Sequence, residues 1–102
     1  MKSAILQSHD LTVDVEQGSA QLRGRKLKLS PREFNLLVDL MKHRGKVRSR
    51  YSLLHYVWDT SNGDRNGSLD VHIHTLRGKI EDNPKMPKRI QTVYSVGYRF
   101  LE

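Results

Sequence analysis

Leu69, Ile73, Leu76 and Ile80 recur at steps of four, three and four, the apolar stripe of a helix with a 3.6-residue period. The spacing predicts one amphipathic helix from Asn66 to Asp82. At about 100° per residue, its opposite face carries Val71, His74, Thr75 and Gly78, with Asp70 and Arg77 flanking one side of the stripe and His72 and Lys79 the other. Asn66 or Ser68 is placed to cap the start, with Asp70 in the first turn, where a carboxylate suits the positive end of the helix. Arg77 and Lys79 lie towards the other end, where cations suit it. A solvated face would carry Glu and Lys. This one is short-chained and neutral with one apolar residue, Val71, a composition that fits a face meeting a partner.

Before that helix the period is mostly two. Ala4–Gln7 is a short edge strand, and Leu11, Val13 and Val15 alternate with Thr12, Asp14 and Glu16 as in a half-buried strand. Turns are expected at Gln17-Gly18-Ser19 and at Gly24, strands at Gln21–Arg23 and Lys26–Leu29, with Leu27 and Leu29 inward. Arg23, Arg25, Lys26 and Lys28 then point to solvent, and charge there protects a sheet edge. Ser30-Pro31-Arg32-Glu33 is a capping box with proline at the first helical position, and Leu29 with Phe34 forms a hydrophobic staple. Phe34, Leu37, Val38, Leu40 and Met41 make the apolar face of that helix, and Gly45 supplies its left-handed end after Lys42, His43 and Arg44. Lys46-Val47-Arg48 adds a rung beside another hairpin. Ser49 caps a second helix, Arg50 to Trp58, with Leu53, Leu54, Val57 and Trp58 on one face and Tyr51 beside it. Asp59–Asn66 is a polar loop and Asn83–Lys88 a proline-punctuated one. Arg89–Leu101 reads as a hairpin in which Ile90, Thr92 and Tyr94 alternate with Gln91, Val93 and Ser95, and Gly97 frees the turn. Tyr98 and Phe100 face one way in the return strand and Arg99 the other. A helix–loop–helix pair followed by a hairpin is the order of a winged helix, whose second helix enters the major groove while the hairpin reaches the neighbouring minor groove.

Composition sharpens this. The chain has 102 residues, enough for a single domain, and a net charge of +7 on an otherwise ordinary 36% hydrophobic content. That surplus favours a polyanion, nucleic acid before an anionic membrane. Lys42, Arg44, Lys46, Arg48 and Arg50 cluster with His43 at the start of the second helix, where free N–H groups and the dipole suit a phosphate. There is no cysteine, which removes disulfide and thiolate chemistry. No apolar run approaches the roughly 20 residues of a membrane span, and no signal-peptide core follows Met1-Lys2. Catalysis is not expected. Asp70 and His74 share a side of the helix, but His72 is turned about 200° away (two steps of about 100°), and the same geometry disfavours a metal on His72 and His74. No cofactor is implied. RNA is a poorer partner than DNA, because the A-form major groove is too narrow for a helix. The rival reading is a winged-helix module used mainly for protein–protein contacts, with weak non-specific DNA binding.

LSPREFNLL (29–37), GKVRSRYSLLHYVW (45–58), LDVHIHTLRGKIE (69–81) and IQTVYSVGYRF (90–100), four motifs in register over nearly the whole chain, closely resemble the DNA-binding output domain of OmpR/PhoB-type response regulators. The resemblance implies an α+β fold: a four-stranded antiparallel N-terminal sheet, three helices and a C-terminal winged hairpin. It implies a cytoplasmic bacterial transcription factor that binds tandem direct-repeat half-sites as a homodimer and contacts RNA polymerase through Thr60, Ser61, Asn62, Gly63, Asp64 and Arg65. Val71, His74 and Thr75 would face base edges, and Arg77 a base or phosphate. Ser68, His72, Lys79 and Thr92 would lie near phosphates, with Lys46, Arg48 and Arg50 from the basic connection, and Tyr94 and Arg99 would belong to the wing. The sequence also departs from the family. Positions 74, 75 and 94, commonly basic in relatives, are His, Thr and Tyr, and position 95, commonly glycine, is Ser. Fewer guanidiniums on the reading face predict weaker direct readout of guanine and more weight on phosphates and shape. No phosphoacceptor receiver domain lies within these residues, so the chain is either a solitary regulator or, the favoured expectation, the output half of a longer one served by a sensor histidine kinase.

Overall fold

The computed structural model describes residues 4–57 and 66–101. Trp58, expected as a core anchor, and positions 59–65 of the polar loop lie outside the described residues. Four short strands come first: β1 (Ile5–Ser8), β2 (Leu11–Asp14), β3 (Ser19–Leu22) and β4 (Arg25–Lys26), an antiparallel sheet in that order. Leu11 pairs with Leu22 and Val13 with Ala20; Leu11, Val13 and Ala20 are buried, so the period of two resolves one face to the core. Arg23 and Gly24 both have positive φ (53° and 78°), the backbone of a tight primed turn whose twist suits paired strands. The expected strand over Lys26–Leu29 is shorter in the structure. The ladder ends at Lys26, and after Leu27 N–H reaches Ala20 O at 2.8 Å the chain leaves the sheet to enter a helix. Leu27 and Leu29 still pack against the core.

That helix, α1 (Pro31–Lys42), has the capping box: Glu33 N–H donates to Ser30 Oγ at 3.2 Å and Ser30 N–H to Glu33 Oε1 at 2.8 Å. Leu36, Leu37, Leu40 and Met41 are buried, and Phe34 and Val38 pack at the margin. His43 is the C-cap. The left-handed residue, Gly45 (φ 82°), comes two positions later, and its N–H donates to Phe100 O at 2.8 Å, handing the chain to a second sheet.

The second sheet has the order β5 (Val47–Ser49), β7 (Gly97–Phe100), β6 (Ile90–Val93). Here the hairpin reading needs correction. β6 stops at Val93, and Tyr94, Ser95 and Val96 form the connection, with Ser95 in the left-handed region (φ 67°). Gly97 is not the turn residue. It sits in β7 opposite Ser49 and Val93, and a Cβ there would lie 2.0 Å from Arg48 O. Glycine is required by close approach of two backbones.

After β5 come α2 (Arg50–Val57) and α3 (Asn66–Ile80), with α3 packed on both α1 and α2. Leu69, Ile73, Leu76 and Ile80 are each at most 1% exposed, so the stripe faces the core as its spacing demands. The helix ends at Ile80, two residues before the expected Asp82. The carboxylate of the buried Glu81 accepts the N–H groups of Lys88, Arg89 and Ile90 at 2.9–3.1 Å, which folds the loop back and starts β6.

Candidate nucleic-acid interface

The outward face of α3 is the one the helical wheel separates from the stripe: Val71, His74, Thr75 and Gly78 are all exposed, Val71 at 61%. Thr75 donates its hydroxyl hydrogen back to Val71 O at 3.0 Å. Nothing beyond the local helix backbone lies within 4 Å of where a Cβ would stand on Gly78, so nothing within the fold requires glycine there.

The rest of α3 is tied down. Asp70 is the fifth residue of the helix, not a first-turn carboxylate as expected, and it collects partners from two other elements. Arg50, at the start of α2, donates to its two oxygens at 2.7 and 3.2 Å, and the Tyr98 hydroxyl in β7 donates to Oδ1 at 2.5 Å. The Arg50 hydrogen bonds hold the Asp70 carboxyl below its ordinary pKa against opposing desolvation, with Tyr98 adding to the effect. Burial and then the Asp70 carboxylate push the Tyr98 phenol up. One carboxylate thus fixes α2, α3 and the wing relative to one another.

Arg77 closes a second tie. Its Nε and Nη2 donate to Ile90 O at 3.2 and 2.8 Å, Nη2 also reaches Thr92 Oγ1 at 2.8 Å, and the guanidinium stands 5.5 Å from the Tyr98 ring centroid. The structure therefore brings Arg77 and Thr92, both read from the sequence as DNA contacts, together with each other. Lys79 Nζ lies 2.7 Å from both Glu33 Oε1 and Lys28 O, at the start of α1. Burial would raise the Glu33 pKa, but the bonds from Lys79 and Ser30 outweigh it and leave the carboxyl below its ordinary value.

The basic connection before α2 is similarly engaged. Arg48 forms a two-pronged pair with Asp39 of α1 (2.7 and 3.1 Å) and lies 5.7 Å from the Tyr56 ring centroid. Arg50 is bound to Asp70, while Lys46 is exposed. Ser49 Oγ accepts the Ser52 N–H at 3.0 Å, as expected of a cap. His72 is half-buried, and the Ser68 side chain is outside the described residues.

At the wing, Tyr94 (86% exposed) and Val96 (46%) form the tip. Arg99 is not at the tip. It lies mid-strand, paired across the ladder with Val47 and Gln91, and its guanidinium donates to Gln91 Oε1. Sequence reasoning also set Tyr51 beside the core face of α2. In the structure it is 76% exposed and stacks on His55 at 5.8 Å, with Tyr56 edge-on to the same imidazole at 4.8 Å. The i, i+4 spacing of Tyr51 and His55 is the signal that was available.

The family described as "Transcriptional regulatory protein, C terminal" matches residues 24–100. The alkaline phosphatase synthesis transcriptional regulatory protein PhoP of Bacillus subtilis is 39% identical over 93 residues, covering 91% of this chain and 39% of its own length. The response regulator DrrB of Thermotoga maritima, an OmpR/PhoB homologue, superposes with a TM-score of 0.89 at 32% identity, over 99% of this chain and 46% of that one. The DNA-binding domain of Klebsiella pneumoniae RstA, solved in complex with the RstA box, gives a TM-score of 0.81 at 34% identity, over 95% of this chain and 96% of that one. The chain thus spans less than half the length of PhoP and of DrrB.

Proposed function

The chain belongs to the C-terminal family of transcriptional regulatory proteins, of the OmpR/PhoB type, and on that premise we propose that it binds double-stranded DNA sequence-specifically as the output domain of a two-component response regulator. The observation that carries this is the contrast on α3. Three of its sides are fixed by core packing, by Asp70 and by Arg77, while Val71, His74, Thr75 and Gly78 stay open to solvent. A helix held rigidly with a neutral exposed face suits the major groove, where base edges are read by short hydrogen-bonding and apolar groups. In this reading Val71, His74 and Thr75 face the bases. Tyr94 at the tip of the 90–100 hairpin approaches the adjoining minor groove. Lys46, Ser68 and His72 lie towards phosphates. Arg48, Arg50, Arg77, Lys79 and Arg99 act here by holding β5, α3 and the wing in position. The RstA complex supports the assignment, since that domain shares this fold and was solved on its own DNA box.

The wider setting is part of the proposal: a cytoplasmic bacterial regulator, an N-terminal receiver served by a sensor kinase, a homodimer on tandem half-sites, and a polymerase contact in the 60–65 loop. No helix among the described residues is long and apolar enough to cross a membrane.

A competition titration tests the DNA assignment. Labelled duplex DNA should be displaced by unlabelled duplex DNA at concentrations where duplex RNA has no effect. Lys46→Ala should flatten the dependence of log affinity on log salt by about one unit. Equal displacement by RNA, or no retention of DNA, would overturn it.

A further inference from the structure

Guanine is most often read in the major groove by the fork of an arginine, two parallel N–H groups set on O6 and N7. On α3 that fork is occupied: Arg77 Nε and Nη2 are both placed on Ile90 O, and Nη2 also on Thr92 Oγ1. Positions 74 and 75 carry no guanidinium. What the exposed face offers is largely methyl. Val71 presents its isopropyl group at 61% exposure. Thr75, one turn further on, has given its hydroxyl hydrogen to Val71 O, so its γ-methyl and the oxygen lone pairs are what remain for an outside partner. Asp70, though exposed, is taken by Arg50 and Tyr98. Among the described side chains of this face, His74 is left as the one that can donate a hydrogen bond to an outside partner. The major groove has one apolar group to match such a surface, the C5 methyl of thymine.

We infer that this chain selects its half-site through thymine methyl groups: Val71 and Thr75 form an apolar pocket over one or two thymines, flanked by a single polar contact from His74. This rests on the DNA-binding reading above and narrows it to a substrate class, duplexes with thymine at the centre of each half-site. Guanine recognition by arginine has no part in it. Val71 and Thr75 are then specificity-determining residues.

The test removes methyl groups from both sides. Once a preferred duplex has been selected, each thymidine is replaced in turn by deoxyuridine, which pairs identically but lacks the methyl. Burying one methyl changes affinity by about fourfold, so a loss near that size is expected at one or two thymines per half-site and none elsewhere. In Val71→Ala combined with Thr75→Ser, which keeps the hydroxyl and its bond to Val71 O, the same replacements should have no effect. Wild-type affinity unchanged on a fully uridine-substituted duplex, or a uridine penalty of the same size in the double variant, would overturn the inference while leaving DNA binding intact. Failure to select any duplex would overturn the DNA-binding reading itself, and this one with it.

Discussion

Gly97→Ala adds one methyl where β7 passes β5. Its Cβ would stand 2.0 Å from Arg48 O, 2.9 Å from Ser49 Cα and 3.0 Å from Arg48 C, all backbone atoms that cannot rotate away. A carbon and a carbonyl oxygen in contact need about 3.3 Å, so β5 must retreat by more than about 1 Å. β5 is a three-residue edge strand whose pairing is Val47 with Arg99, Arg48 with Tyr98 and Ser49 with Gly97. Retreat stretches that ladder and the following bond from Arg50 N–H to Val96 O, 3.0 Å long. Losing one or two such bonds at about 1 kcal/mol each, with overpacking strain of about 1–3 kcal/mol, gives a destabilisation of roughly 2–5 kcal/mol. For a domain of this size that lowers Tm by roughly 10–30 °C. The matched control is Gly78→Ala, the same substitution on the open face of α3, where no atom beyond the local helix backbone lies within 4 Å of the added Cβ. There the helix propensity of alanine should stabilise by about 1 kcal/mol. Urea and thermal unfolding followed by circular dichroism measure both. A Gly97→Ala protein within about 0.5 kcal/mol of wild type would refute the close approach, and a destabilised Gly78→Ala would refute the open helix face.

Arg77→Ala should lower stability in the absence of DNA by about 1–3 kcal/mol, because it strips Ile90 O and Thr92 Oγ1 of their donor; unfolding at the wild-type midpoint would return Arg77 to the role of a base reader. Arg48→Ala should destabilise through the orphaned, largely buried Asp39 yet leave the salt slope of DNA binding unchanged, whereas a slope flattened as in Lys46→Ala would place Arg48 on a phosphate. Glu33 has a folded pKa below its unfolded one, so its contribution is complete above the ordinary carboxylate range and is lost as pH falls through the lowered folded value. Urea midpoints between pH 7 and pH 3 should therefore fall less steeply in Glu33→Gln than in wild type, and parallel profiles would show that the pair with Lys79 contributes nothing.

Much of the scaffold was legible because apolar periodicity and capping chemistry are local. Leu69, Ile73, Leu76 and Ile80 needed only a 3.6-residue spacing to be set inward, and the Ser30–Glu33 box needed only four adjacent residues. The exposed face of α3 followed from the same wheel. The fate of the cations did not. Nothing local distinguishes Arg48, paired with Asp39 nine residues before it, or Lys79, paired with Glu33 across the fold, from the exposed Lys46. A long cationic side chain goes wherever the tertiary fold brings an acceptor. Gly97 was misread for a related reason. A glycine near a hairpin signals either a positive φ or a close approach, and the partner backbone of β5 lies some fifty positions away in sequence. The turn fell instead to Ser95, a residue that adopts a positive φ less readily than glycine. Leu36, buried on α1, lies outside the face read from the sequence because the helix packs broadly, against other helices as well as strands β1 and β7.

The central claim is that the open face of α3 reads DNA sequence, and selection from a pool of random duplex DNA at near-physiological salt tests it most directly. The account predicts enrichment of a short thymine-containing motif, repeated head to tail about one helical turn apart. Retention of duplexes without any enriched motif would contradict it.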